Sequence, residues 1–269
     1  MTRPRAPRVL LAVWGGAVLV FLLLPILLIL PISFSAGTFL SYPLPGLSLR
    51  WYRVIAEPFP WVFAFKNSLV VGVAATILSV VLGTTAAYGV TTAAFRFRTA
   101  VVVLLLSPMV VPVVISGLGI YFFLNRAGLL GSYTGLVIAH TALGIPFVVA
   151  TVGATLQGFD RTLIRAAESL GGRPRAAFFD ITLPIIMPGV VSGAIFAFVT
   201  SFDEVVVALF VSSPETLTLP RQLFSGLRDQ VTPALVAIAT VLIALSIALM
   251  MTVEYLRKRA ARLSASTAQ

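Results

Sequence analysis

Cysteine is absent from the 269 residues, and histidine occurs once. The first absence removes any disulfide framework or thiolate metal site and leaves the redox compartment undetermined. The second excludes a multi-histidine centre, so neither metal nor cofactor is expected. Charge is scarce too: Asp, Glu, Lys and Arg make up 10% of the chain, against roughly 25% in soluble domains. No G-x-x-x-x-G-K-[ST] run occurs, so the chain has no phosphate loop with which to hydrolyse ATP, and no enzymatic activity is expected of it.

Apolar residues are what the chain has in quantity: 59% of the sequence is hydrophobic, with a mean hydropathy of +1.04. An all-α, polytopic membrane protein follows, because helices satisfy their own backbone in lipid. The net charge of +10 is spread in short groups between apolar segments. That is the pattern of membrane loops, so the expected surroundings are a lipid bilayer and not a nucleic acid.

Six segments reach the roughly 20 apolar residues that a bilayer core requires: Val9–Phe34, Asn67–Thr92, Thr99–Leu124, Ser132–Leu156, Pro188–Val211 and Pro233–Leu256. The first follows MTRPRAPR and is too long for a signal-peptide core, without a clean cleavage site, so it reads as an uncleaved anchor. With a cytoplasmic N-terminus, Arg50, Arg53, Lys66, Arg126, Arg221 and Arg228 fall outside, leaving 13 of the 19 Lys and Arg inside. This asymmetry is the one expected with both termini in the cytoplasm. The expected organisation is an anchor helix and outer loop over 1–66, a five-span core over 67–256 and a basic cytoplasmic tail over 257–269.

In the outer loop, SLRWYRVI and EPFPWVFAF suit a short interfacial helix with Trp51, Tyr52 and Trp61 at headgroup level, acting as an anchor. Gly83, Gly89, Gly117, Gly119 and Gly144 are expected to allow close helix contacts. Pro108, Pro112 and Pro146 are expected to kink their spans. His140, among small residues, reads first as a hydrogen-bonded packing residue, and the phenylalanines of the fifth span as packing before any cation cage.

The long cytoplasmic loop is Gln157–Met187. Asp160 is placed to cap a helix, Leu163, Ala167 and Leu170 recur on one face, and Gly171 with Gly172 supplies the stop, which predicts a helix over 160–172. Ala166 and Ala167 would let another protein approach its backbone closely. A second short stretch, Arg175–Ile181, leads to Leu183 and Pro184, and Pro184 and Pro188 are expected to break regular helix at the entry to the fifth span.

Within that span sit two adjacent carboxylates, Asp203 and Glu204. Counted as helix from Pro188 at 1.5 Å per residue, Asp203 lies roughly 22 Å into a core of about 30 Å. A carboxylate there costs about 2.5–3.5 kcal/mol even on lenient scales. Asp203 would share a face with Thr200 and Phe196, and Glu204 one with Ser201, so at least one acid is expected to face water. Structural ion pairing with arginines is the plainer alternative.

The spacing Ala166-Ala167, three residues, Gly171, nine residues, Ile181, one residue, Leu183-Pro184 resembles the EAA motif of bacterial ABC importer permeases, with Arg165 where the motif has Glu and Glu168 one turn on. NSLVVGVAATILSVVLGTTAAYGV, LSPMVVPVVISGLG, AHTALGIPFVV and FAFVTSFDEVVVALF extend the resemblance to spermidine/putrescine permeases of the PotC type. This implies a type I importer fold with six transmembrane helices in the bacterial inner membrane. It also implies a dimer of ABC ATPase subunits docked on the coupling residues Arg165, Ala166, Ala167, Glu168, Leu170, Gly171, Ile181, Leu183 and Pro184. A second, PotB-like permease would complete a heterodimeric pore, and a periplasmic binding protein would deliver solute. Asp203, Glu204, Thr200 and Phe202 would line the path of a small organic cation, most simply a polyamine. The alternatives are an ABC permease for another organic solute and an ion-coupled secondary transporter, for which an inverted repeat would be expected and none is visible.

Overall fold

The structure, a computed structural model, describes the backbone of residues 5–93, 95–229 and 231–266, with side chains for 11–93, 95–229, 231–248 and 251. The side chains of the expected basic tail, and Arg3, Arg5 and Arg8, lie outside the described residues. Twelve helices follow in chain order among the described residues: α1 (Arg5–Ile32), α2 (Arg50–Ala56), α3 (Phe63–Thr92), α4 (Arg98–Leu106), α5 (Val113–Arg126), α6 (Tyr133–Gln157), α7 (Thr162–Ser169), α8 (Pro174–Ala176), α9 (Leu183–Phe202), α10 (Val206–Val211), α11 (Leu219–Asp229) and α12 (Pro233–Ser266). The all-α, multi-pass reading holds, with differences in where spans begin, bend and end.

The chain forms two compact units, Met1–Pro58 with Ser225–Gln269, and Phe59–Phe224. In the first, α1 and α2 both pack on α12. The apolar stretch Leu11–Ile32 of α1 is long enough to cross a membrane and none of it is buried, whereas the described apolar part of α12 is Pro233–Ala248. Ser33 and Tyr52 share a hydrogen bond of 2.8 Å, and Arg50 and Trp51 both donate to the Gly37 carbonyl, at 2.9 and 3.2 Å. The Arg50 guanidinium lies 4.4 Å over the Trp51 ring. Trp51 and Tyr52 therefore tie down the loop after α1. Trp61, expected at headgroup level with them, is buried at 6% exposure.

The second unit is built on α3, α6 and α9. Lipid tails are as apolar as Leu, so helix association here rests on close packing and interhelical hydrogen bonds. A Cβ added at Gly193 would lie 2.6 Å from Thr151 Oγ1 and 2.9 Å from Val148 Cα, and one at Gly83 would lie 2.7 Å from Val148 Cβ. One apolar core joins Val71, Leu136, Leu143, Val207 and Val211 at the end of the bundle where α6 begins. The other joins Ala87, Val152, Leu156, Ile186 and Val190 where α6 ends. Of the glycines expected at contacts, Gly83, Gly117 and Gly144 are in them, whereas a Cβ at Gly89 or Gly119 would meet nothing within 4 Å.

Two spans differ from expectation. The third, read as one kinked span over Thr99–Leu124, is α4 and α5 bent by as much as 103° around Val110–Pro112. Pro112 caps α5, and Pro108 opens the preceding turn of tighter helix. The fifth, read as Pro188–Val211, begins earlier and stops earlier. Helix runs from Pro174 through a wide π-type segment, Ala177–Thr182, into α9. Pro184 and Pro188 are accommodated instead of breaking it: Pro184 stands in the first turn, where its missing N–H costs nothing. Helix then ends at Phe202 and restarts at Val206.

Candidate functional site

The break in the fifth span falls on the two carboxylates. Asp203 closes α9, its N–H donating to the Val199 carbonyl at 3.0 Å with φ −96° and ψ 1°. Glu204 turns back on the next helix, and its Oε1 accepts from the Val207 N–H at 2.8 Å. That bond satisfies one of the donors that a helix start leaves over. Glu204 thus has a structural partner inside the chain. Asp203 is exposed, and among the described residues no side chain hydrogen-bonds or pairs with its carboxylate. The arginine ion pair considered from the sequence is not present among them.

The depth of the break follows from α6. His140 lies seven residues into that helix, about 10 Å from its start, and its Nδ1 is 2.7 Å from Ser201 Oγ. His140 is buried and its Nε2 has no partner among the described residues. It is the packing residue the sequence suggested, and its partner, two positions before Asp203, carried no signal of its own in the sequence. The final turn of α9 is therefore fastened to α6 within the bundle.

Phe202 is half-buried in a cluster with Phe65, edge-on at 6.2 Å, and Phe198, stacked at 5.7 Å. This is packing. Thr200 is half-buried. The residues that share the open face of α9 with Asp203 are Phe196 and Val199, exposed at 53% and 56%. Of the four expected pathway residues, the structure presents Asp203 on an open surface, engages Glu204 as a cap, and turns Phe202 into the bundle.

Beyond the break, α10 packs on α5, where a Cβ on Gly117 would come within 2.9 Å of the Phe210 ring. The chain then lies across the starts of α3 and α6. Asn67 donates to the Leu217 carbonyl at 2.9 Å and accepts from Tyr133 Oη at 2.6 Å, while Ser68 Oγ accepts from the Leu219 N–H at 2.8 Å. Arg221 reaches the Ser212 carbonyl at 2.7 Å. Asn67 and Ser68 are buried, so these bonds fix the returning segment firmly.

The second candidate region is the loop after α6. The helix expected over 160–172 is α7 over Thr162–Ser169, with Arg161 at its N-cap and Leu170 at its C-cap, so Asp160, expected to cap it, stands one residue ahead of the N-cap. Asp160 Oδ1 accepts from the Thr162 N–H at 2.9 Å, and these hydrogen bonds to Thr162 hold its carboxyl below the usual range. At the other end the Gly172 N–H bonds to the Ala167 carbonyl at 2.9 Å and the Gly171 N–H to Glu168 at 3.0 Å. Gly171 has φ +82°. This is a Schellman termination, and its left-handed residue is glycine for want of a Cβ. Arg161 donates to the Thr91 carbonyl at the end of α3, a link that spacing could not announce.

No residue of α7 is buried: Arg165, Ala166 and Glu168 are exposed, Ala167 is half-buried, and Leu163 and Leu170 are exposed at 44% and 88%. Among the described residues no ion pair joins Arg165 to Glu168. Ile181 lies half-buried in the π-type segment and Leu183 packs on the core under the bundle, with Pro184 exposed beside it. Among the described residues, no group of three Asp, Glu or His could hold a metal ion.

Over residues 6–262 the chain matches the family described as binding-protein-dependent transport system inner membrane component. It is 34% identical over 230 residues to the putrescine transport system permease protein PotI of Escherichia coli K12, covering 83% of this chain and 82% of the relative. It is 30% identical over 240 residues to the spermidine/putrescine transport system permease protein PotC of Haemophilus influenzae, covering 89% and 93%. The molybdenum transport system permease protein ModB of Mycobacterium bovis is 30% identical over 208 residues, covering 69% and 78%. Among solved structures, a bacterial ABC transporter involved in import of the acidic polysaccharide alginate contains a chain of the same fold, with a TM-score of 0.74 at 15% identity over 94% of this chain and 98% of that one. The chain belongs to the multi-pass inner-membrane permeases of binding-protein-dependent ABC transport systems, which work with a second permease and a binding protein and leave ATP hydrolysis to a partner ATPase.

Proposed function

We propose that this permease forms half of the path for a polyamine-like cation, with Asp203 as its principal attracting group. The observation that carries the reading is the Asp203 carboxylate: exposed at a helix break about 7 Å in from the start of α6, it has no partner among the described residues, while its neighbour Glu204 has one. Such a charge is costly in hydrocarbon and is tolerated where it meets water or a counter-ion. An ammonium group is that counter-ion. The relatives named for putrescine and spermidine/putrescine transport support the choice of cation. Thr200 and the exposed ring of Phe196 flank the same path, and Glu204 acts on it through the shape of the break.

In this reading α7, from Arg165 to Gly171, and the Ile181, Leu183 and Pro184 approach to α9 receive an ABC ATPase dimer. Its exposed Leu163 and Leu170 are the contact. The excess of Arg on that side puts both termini in the cytoplasm. A PotB-like second permease covers the open face of α9, and a periplasmic binding protein delivers the solute. The anchor over 1–66, core over 67–256 and tail over 257–269 describe how the chain is threaded.

The test is Asp203→Asn in the reconstituted complex. Assembly and basal ATP hydrolysis are expected to persist, and putrescine uptake to fall at least tenfold, with Asp203→Glu retaining part of it. Unchanged uptake by an assembled Asp203→Asn complex refutes the assignment. Delivery of an anion by the cognate binding protein refutes the cation reading.

A further inference from the structure

Between the last turns of α3, the last turns of α6 and the whole of α4 lies a cavity of about 210 Å³. Its inner part is apolar, lined by Val90, Val102, Leu106 and Val149. Its polar groups stand at one end: Thr91 is the penultimate residue of α3, Gln157 the last of α6 and Arg98 the first of α4. The Thr91 hydroxyl is committed to the Ala87 carbonyl at 2.6 Å, and its carbonyl accepts from Arg161. The Arg98 guanidinium and the Gln157 amide have no side-chain hydrogen bond or ion pair among the described residues. Along α6 the wall is small. A Cβ on Gly153 would meet nothing within 4 Å, and Ala150 and Ala154 are exposed, so the cavity opens sideways.

An apolar shaft with a cationic mouth at the ends of three helices matches one class of occupant. The volume falls short of the roughly 300–1,000 Å³ typical of a solute pocket, and suits a stretch of alkyl chain. The mouth carries Arg98, with Arg96 two residues away and Arg161 at the end of α3, so a cationic solute is repelled and an anion favoured. Basic pockets between helices at a membrane surface take lipid headgroups. The cavity also borders α4, which has no buried residue of its own, so a chain lying in the shaft would supply packing that the protein leaves unmade. We propose that this cavity holds one acyl chain of an anionic phospholipid, with the lipid phosphate on Arg98 and Gln157, and that the bound lipid steadies α4. The inference requires these helix ends to lie at a membrane surface, and it is independent of which solute is carried.

The test is native mass spectrometry of the whole transporter, delipidated and then titrated with phosphatidylglycerol or with phosphatidylcholine of the same acyl chains. Wild type is expected to take up phosphatidylglycerol with a several-fold preference. Arg98→Gln should lose that preference, Gly153→Leu should lose one bound lipid of either kind at unchanged subunit composition, and Arg96→Gln, outside the cavity, should behave as wild type. If Gly153→Leu fails to assemble, Ala154→Leu at the opening is read the same way. The proposal is overturned if the assembled leucine variant binds as much lipid as wild type, or if Arg98→Gln keeps the preference. It also falls if Arg96→Gln loses as much as Arg98→Gln, which would mark diffuse surface charge, or if glycerol phosphate displaces the lipid at equal concentration, which would remove any part for the acyl chain.

Discussion

Two consecutive helices of the same unit, α6 and α7, are finished in opposite ways. Along α6 the buried positions run from Leu136 through Val148 to Leu156, and its neighbours α3 and α9 fill the spaces that its small residues leave. Along α7 nothing is buried. Its shape is nonetheless fixed, by Asp160 at its start and the Gly171–Gly172 termination at its end. The difference separates a surface that this chain completes for itself from one that, in the proposed function, is set in advance for another chain. It also says where a substitution should damage folding and where it should damage communication.

The largest expected effect comes from breaking the completed surface. Gly193→Leu puts a side chain where the Val148 backbone stands 2.9 Å from the new Cβ, and that backbone belongs to the middle of α6. Overpacking of this kind costs about 1–3 kcal/mol or more, so the folded permease should be lost from detergent extracts. A Gly193→Leu protein that elutes and melts like wild type would show the α6–α9 approach to be looser than described.

Gly171→Val should act on the other class of surface. A β-branched residue at φ +82° is strained by roughly 1–2 kcal/mol, while the space around it is open, so membrane insertion and permease pairing should survive. Solute moved per ATP hydrolysed is expected to fall about tenfold, the effect of roughly 1.4 kcal/mol. Gly171→Asn should fall less, because Asn tolerates the left-handed region. Wild-type coupling in Gly171→Val would remove the assignment of α7 as the ATPase contact.

The smallest effect concerns the start of α7. The folded Asp160 carboxyl is lowered relative to the unfolded chain by its hydrogen bonds to Thr162, so its contribution is present above the ordinary Asp value of about 3.9 and is lost as pH falls through the lowered folded value. Amide exchange at Thr162, corrected for its intrinsic pH dependence, should be level from neutral pH to about 5 and accelerate below about 4. Asp160→Asn should remove that step. A step of equal size in the variant would mean that the cap does not depend on the carboxylate.

The helical class, the placement of most spans and, to within a residue, the α7 punctuation were legible in the sequence, because they rest on local chemistry: apolar length, an acid beside the helix start and a Gly pair. Direction was less legible. Pro108 and Pro112 signalled irregularity in the third span, but a proline specifies a missing N–H and not the 103° turn that the surrounding helices impose. In the fifth span Pro184 and Pro188 looked like breaks and are not: Pro184 stands in the first turn of α9 and Pro188 is carried inside it. The real break, after Phe202, lies in an apolar run with neither Gly nor Pro to mark it, and hydropathy measures length without sensing interruption. Gly89 and Gly119 look in sequence like Gly83 and Gly117, and only the presence of a neighbour distinguishes them.

The interruption after Phe202 also leaves two helix ends three residues apart in the chain, and they are not treated alike. A helix end carries roughly half an elementary charge, negative at its C-terminus and positive at its N-terminus. Glu204 accepts from Val207 and so screens the positive start of α10. The negative end of the 20-residue α9 lies beside Asp203, which cannot neutralise it. A cation arriving there meets a field from the backbone as well as from a side chain. If Asp203 lies on the proposed cation path, charge-sign discrimination there is partly written into the main chain, and Asp203→Asn should retain a residual preference for cations over neutral solutes of the same size.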